Sequence, residues 1–167
     1  MTQPVPFPPS LWASVTPERP AAPALEGELR ADMAVVGAGF TGLSTALALA
    51  ERGHKVVVVE AVRAGWGASG RNNGQVIPTM TGAEPDMMTQ RFGPVGERFA
   101  QLVSDSAANL FNLVRRLDLK CEAEQTGWFQ PAHSPGRVKL SAARVEAWAR
   151  RGAPGSEAGL RLGAAGG

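Results

Sequence analysis

The sequence predicts an α/β fold with a strand–helix–strand unit in its first half, on three observations. Two short apolar runs, Met33–Val36 and Val56–Val59, have the composition of strands in a parallel sheet. Between them, Leu43, Ala46, Leu47 and Ala50 recur at three- and four-residue spacings, the period of a helix face. A glycine cluster, Gly37, Gly39 and Gly42, joins the first run to that helix.

The chain of 167 residues is long enough for one domain with a core. Its 44% hydrophobic and 19% charged residues are ordinary for a globular protein. The formal net charge is +2, with basic residues scattered rather than clustered, so nucleic acid is not an expected partner. The lone cysteine, Cys121, excludes an internal disulfide and fits a reducing compartment. There is no basic-then-apolar leader pattern, and no apolar run approaches the roughly 20 residues of a spanning helix. The expectation is a soluble cytoplasmic protein without a membrane partner.

Each element follows in chain order. Residues 1–24 hold seven of the thirteen prolines. That density fixes φ and removes backbone donors, so an extended arm is expected, with Leu11 and Trp12 as its anchors if it is anchored. Met33–Val36 is read as a buried strand ending at Gly37. Thr41–Arg52 follows as a helix closed by Gly53. Val56–Val59 is a second buried strand ending at Glu60, and strand, helix and strand make a βαβ unit. The stretch from Arg63 to Val76, RAGWGASGRNNGQV, packs four glycines among serine, arginine and asparagine. Thr79–Gly93 has no clear period. Pro94–Leu117 reads as a long amphipathic helix, with Phe99, Leu102, Val103, Leu110, Phe111, Val114 and Leu117 as its apolar stripe. Residues 121–132, CEAEQTGWFQPA, read as strand or hairpin material, and Val138–Arg151 as another helix. The glycine- and alanine-rich tail, residues 152–167, is expected to be disordered.

The glycine cluster carries chemistry. G-x-G-x-x-G in VVGAGFTG opens a helix directly after a strand. Gly37 permits the tight turn, and Gly39 lets a pyrophosphate approach the backbone. Gly42 allows close helix–strand packing, and the helix start, at Phe40 and Thr41, supplies N–H groups and a positive dipole end. Glu60 stands where a carboxylate accepts hydrogen bonds from both hydroxyls of an adenosine ribose, and its charge disfavours a 2′-phosphate. The motif alone leaves FAD and NAD open, and a glycine-rich turn beside a solvated glutamate is the plainer alternative.

The longer string GAGFTGLSTALALAERGHKVVVVE, with AVRAGWGASGRNNGQV after it, resembles the FAD-dependent oxidoreductase family of the D-amino-acid-oxidase (DAO) type. Within it, the string is similar to amine oxidoreductases of the γ-glutamylputrescine oxidase kind. The likeness is strong from about Arg30 to Val76 and weaker from Gln90 to Arg151. It implies a Rossmann-like FAD/NAD(P)-binding βαβ core over residues 25–120 and the start of a β-rich substrate domain at 121–151. It also implies that Ser69, Gly70 and Arg71 lie beside the FAD pyrophosphate and that Asn72, Asn73, Gly74 and Gln75 lie near the flavin. Arg63 is a candidate for the adenine side. Asn73 departs from the glycine frequent in the family, and Trp66 is expected to pack under the loop. The bottom-up chemistry agrees, because Arg71 offers a charge-assisted donor to phosphate. A solvated surface loop is the competing reading.

The resemblance implies oxidation of a C–N bond in a small amine or amino-acid substrate. Hydride passes from the amine-bearing carbon to the flavin, and water hydrolyses the resulting imine. Family members are much longer than this chain, and the likeness is expected to stop after Ala153, as in a truncated or frame-shifted product. No catalytic base or substrate anchor is legible, and the fragment alone is expected to be of uncertain activity. His54 reads as exposed, His133 as a loop histidine rather than a catalytic base, and Cys121 as a small buried hydrophobe. No metal-ligand spacing occurs. An NAD-linked dehydrogenase and a dinucleotide-binding fragment without turnover are the alternatives, and the oligomeric state is left open.

Overall fold

The computed structural model describes residues 5–17, 22–80, 82–128 and 130–152. The chain divides into two compact units, residues 1–75 and 76–167. The expectation of a disordered tail falls on residues that, apart from Gly152, lie outside those described.

The first unit begins with the arm, which is not wholly extended. Ser10 caps a short helix, α1 (Leu11–Val15), its Oγ accepting from the Ala13 N–H at 3.1 Å. One turn of helix forms where the prolines pause, between Pro9 and Pro17. Strand β1 (Met33–Val36), helix α2 (Phe40–Ala50) and strand β2 (Val56–Val59) follow. The strands pair in parallel, Met33 with Val56 through Val36 with Val59, and α2 packs on both. Helix α2 ends one turn short of Gly53, whose φ of 86° closes the reversal into β2.

The sheet differs from expectation in burial. Met33 is 43% exposed and Val36 87% exposed, and β2 is only half-buried. Apolar runs of this kind suit strands covered on both faces. Among the described residues the two-stranded sheet is packed chiefly by α2 within its own unit.

The second unit is helical: α3 (Pro85–Phe92), α4 (Pro94–Arg116) and α5 (Pro135–Ala149). Each starts with proline at its first position, where the missing N–H costs nothing. Ser134 caps α5, one turn ahead of the helix expected from Val138. Gly93, at φ 56°, is the single residue between α3 and α4, a conformation that favours glycine. The buried face of α4 is Gly96, Ala100, Ser104 and Phe111, whereas Leu102 and Leu110 are exposed. Small residues won because the helices approach closely: a methyl group on Gly96 would overlap the Met88 carbonyl. Residues 121–128 and 130–132 form no strand or hairpin, and Cys121 is exposed. β-rich composition does not make a strand without a neighbour to complete its hydrogen bonds.

No helix among the described residues is long and apolar enough to cross a membrane.

Candidate cofactor-binding site

The turn from β1 to α2 is built by its glycines. Gly37 has φ 100°, and its N–H donates to the Val59 carbonyl at 2.7 Å, ending the sheet and turning the chain. A methyl group on Gly42 would overlap the Gly37 carbonyl oxygen and press on Val35 Cγ1 at 3.4 Å. Gly42 is thus the close-packing glycine. At Gly39, a Cβ would meet Ser69 Oγ at 2.9 Å and only Ser69 Cβ beyond it.

Helix α2 begins at this turn, with Gly39 as its N-cap and no side chain of its own to cap it. The Phe40 N–H donates to Ser69 Oγ at 2.9 Å, so the loop supplies the missing acceptor. The N–H groups of Thr41 and Gly42 have no acceptor among the described residues. Two free donors and the positive end of the helix dipole suit an anion.

Glu60 closes the other side. Its Oε2 accepts from the Ala38 N–H at 2.7 Å and its Oε1 from the Val62 N–H at 3.1 Å. The Ala38 bond and then that of Val62 hold the carboxyl below the usual carboxylate range, against desolvation, with a smaller help from the Ala61 N–H. Every stabilising partner is backbone, and no cation contributes.

The loop from Arg63 is tied to the same turn. The Gly65 N–H donates to the Ala38 carbonyl at 2.9 Å, and residues 68–70 form one turn of 3₁₀ helix. A methyl group on Gly70 would overlap the Gly65 carbonyl. Gly37, Gly39, Phe40, Thr41, Gly42, Glu60, Ser69 and Gly70 therefore form one cluster.

The rest of the loop lies differently. The Arg71 guanidinium sits over the Trp66 ring, 5.3 Å from its centroid, and its Nε donates to the Gly67 carbonyl at 3.1 Å. Arg63 sits over Phe7 at 5.7 Å. Neither makes a hydrogen bond to the glycine turn in the contacts described. Asn72 Nδ2 donates to the Ser69 carbonyl at 2.5 Å, and Asn72 Oδ1 accepts from the Gly74 N–H at 2.7 Å. Asn73 Nδ2 bonds Gln75 Oε1 at 3.2 Å. Gly74 has φ 73°, the reason glycine is needed there.

Ala38 was not legible beforehand, and Trp12 was named only as a possible anchor of the arm, without its partner. Ala38 is buried and acts through its backbone alone, donating to Glu60 and accepting from Gly65. No side-chain pattern marks such a residue. Trp12 reaches Asn72 across the whole βαβ unit; only its place as a large apolar residue in a proline-rich arm hinted at anchoring. His54 and His133 are exposed. Among the described residues no three His, Cys, Asp or Glu side chains group closely enough to hold a metal ion.

A parallel βαβ unit, a three-glycine turn and a carboxylate ending the second strand define the fold class: Rossmann-like, of the FAD/NAD-binding type. Comparison with known proteins narrows it. Residues 32–165 match the family described as DAO: FAD dependent oxidoreductase, and the chain belongs to that family. The match runs to residue 165, past Ala153, where the likeness was expected to stop. The chain is 33% identical over 129 residues to the gamma-glutamylputrescine oxidoreductase of Escherichia coli (strain K12), covering 77% of this chain and 30% of that protein. It is 46% identical over 83 residues to the probable oxidoreductase OrdL of Haemophilus influenzae (strain ATCC 51907 / DSM 11121 / KW20 / Rd), covering 50% and 17%. With the probable oxidoreductase OrdL of Rhizobium meliloti (strain 1021) the identity is 47% over 66 residues, covering 40% and 15%. The chain thus spans under a third of the length of these relatives. No solved structure matches it significantly.

Proposed function

We propose that this chain is the FAD-binding portion of a cytoplasmic oxidoreductase that oxidises the C–N bond of a small amine or amino acid. The observation that carries the reading is the open first turn of α2. There Gly39 presents no Cβ and the Thr41 and Gly42 N–H groups lack acceptors, next to a Glu60 carboxylate held ionised by backbone alone. Pyrophosphate on the amides and adenosine ribose hydroxyls on Glu60 would satisfy both. Ser69 would turn its hydroxyl from the Phe40 N–H toward phosphate. Arg71 would supply positive charge after leaving Trp66, and Asn72, Asn73, Gly74 and Gln75 would orient the flavin edge with Arg63 toward adenine.

FAD, when bound, supplies the hydride acceptor. The chain's own residues bind and orient it. We assign this work to residues 25–120 and read residues 121–151 as the start of the substrate domain. The C–N bond assignment is supported by the likeness to gamma-glutamylputrescine oxidoreductase. Cytoplasmic location is supported by the single unpaired Cys121.

Titration of the purified chain with FAD, FMN and NAD tests the reading. FAD is expected to bind at least about tenfold tighter than FMN, which lacks the adenosine ribose that Glu60 would hold. Tighter binding of NAD than FAD, or no binding of any of the three, would contradict it.

A further inference from the structure

We propose that the N-terminal arm is a strap that fixes the loop at Asn72–Gln75, with Trp12 as its positioning residue. The proposal rests on the FAD reading above, because it assigns the strap a role in holding the flavin-side loop ready for the cofactor.

Arm and loop grip each other reciprocally. The Trp12 indole N–H donates to the Asn72 carbonyl at 2.6 Å, and the Trp66 indole N–H donates to the Pro6 carbonyl at 3.0 Å. One indole belongs to the arm and the other to the loop. The Trp12 ring also lies against Gly74, where a Cβ would come within 2.7 Å of it. With φ 73°, Gly74 is the one residue of that corner that both adopts the turn and leaves room for the indole. Arg63 covers Phe7, adding a third attachment.

Among the described residues, little else holds Asn72–Gln75. The other hydrogen bonds described at Asn72–Gln75 are local, reaching no farther than Ser69. Local bonds give a turn its shape but leave its orientation free. Trp12 supplies the long-range contact, sixty positions away in sequence. It is presented by α1, which is itself fixed by the Ser10 cap and a Ser14 Oγ–Leu11 carbonyl bond of 2.7 Å. The flanking prolines stiffen the arm in advance, so less freedom is lost when it lies on the loop. A cofactor meeting a pre-positioned loop binds more tightly than one that must order it.

The test uses the full chain with Trp12→Ala, Trp12→Phe and Trp66→Phe. Hydrogen exchange is read over residues 72–75 without cofactor, and FAD dissociation is read separately. Exchange over Val56–Val59 reports whether the βαβ unit stays folded. In Trp12→Ala, exchange at 72–75 is expected to rise about tenfold or more, with Val56–Val59 unchanged. FAD Kd should rise about tenfold, chiefly through faster release. Trp12→Phe, which keeps a ring and loses the donor, should fall between wild type and Trp12→Ala, and Trp66→Phe should loosen the arm's other end in the same direction. Unchanged exchange at 72–75 in Trp12→Ala overturns the strap, whatever FAD does. Raised exchange with unchanged or tighter FAD binding overturns the positioning role and makes the arm inert or obstructive. A wild-type chain that binds no FAD overturns the FAD reading and the cofactor role built on it, and is distinguished from the first failure because the exchange measurement needs no cofactor.

Discussion

Glu60 in the first unit and the helix-linking carboxylates of the second unit are held in opposite ways. In the second, each one that holds helices together is matched to arginine. Glu84 receives Arg144 through paired bonds, Nε to Oε1 at 3.0 Å and to Oε2 at 2.9 Å. Arg151, with a side chain only 13% exposed, donates to Glu97 Oε1 at 2.9 Å and Asp86 Oδ1 at 2.7 Å. It also reaches Thr89 Oγ1 at 3.1 Å, and Thr89 donates to Glu97 Oε2 at 2.6 Å. These bonds link the end of α5 to α3 and α4. In the first unit Glu60 has backbone donors and no cation. A carboxylate closed by arginine is finished as structure. One held only by N–H groups keeps lone pairs for a ligand. The same contrast holds for glycine: Gly96 is filled by helix backbone, whereas Gly39 faces only the end of a serine side chain.

Changes that break this contrast rank by size. Gly42→Val has the largest expected effect, because backbone oxygen occupies the space its side chain needs. Unfolding free energy should fall by about 3 kcal/mol or more and flavin retention should vanish, read by denaturant titration and absorbance. Gly39→Val separates binding from folding. Ser69 Oγ can rotate away at the loss of its bond from the Phe40 N–H, so stability should fall by only about 1 kcal/mol, while FAD affinity falls by about a hundredfold or more as the side chain enters the phosphate approach. Retained affinity with an intact fold would show that phosphate does not pass Gly39.

Next is Glu60→Gln. It keeps an acceptor for the Ala38 N–H and removes the charge. FAD affinity should fall about tenfold in equilibrium titration.

Arg151→Met sharpens the other half of the comparison. It should lower the melting temperature by about 5 °C with no change in FAD affinity. Asp86 and Glu97 are both held below the usual carboxylate range, first by hydrogen bonds from Arg151. Their contribution is present in full above the ordinary carboxylate pKa and is lost as pH falls through the lower folded values. Arg151 is shifted upward, so its own contribution persists through neutral pH and is lost only in strong alkali. Wild type should therefore lose stability as pH drops below the carboxylate range, and Arg151→Met should lose less. An equal acid dependence in both would remove Arg151 as the cause.

Much of the first unit was legible because its signals are local. Valine runs, a 3.6-residue period and glycine spacing act within a few turns of chain, so β1, α2, β2 and the turn at Gly37–Gly42 were readable. The cluster of Glu60, Ser69 and Gly70 followed from that same string and its likeness to the family. What stayed hidden is nonlocal. Trp12 on Gly74 and Trp66 on Pro6 have no spacing rule, and Ala38 works through its peptide group. The burial of the strands was overestimated because apolar composition reports what a strand can bury, while exposure depends on the layers that reach it. In the second unit the apolar stripe of α4 misled for a related reason. Close helix approach put Gly96, Ala100 and Ser104 inside and left Leu102 out. The Arg151 network joins residues more than fifty positions apart, beyond any local pattern.

The backbone cradle of the first unit is proposed to hold a flavin dinucleotide. Mass spectrometry of small molecules released from the chain, purified without added flavin, tests it most directly. FAD is expected to be retained by wild type and missing from a Gly39→Val variant that remains folded. Release of NAD instead, or FAD carried equally by both proteins, would contradict it.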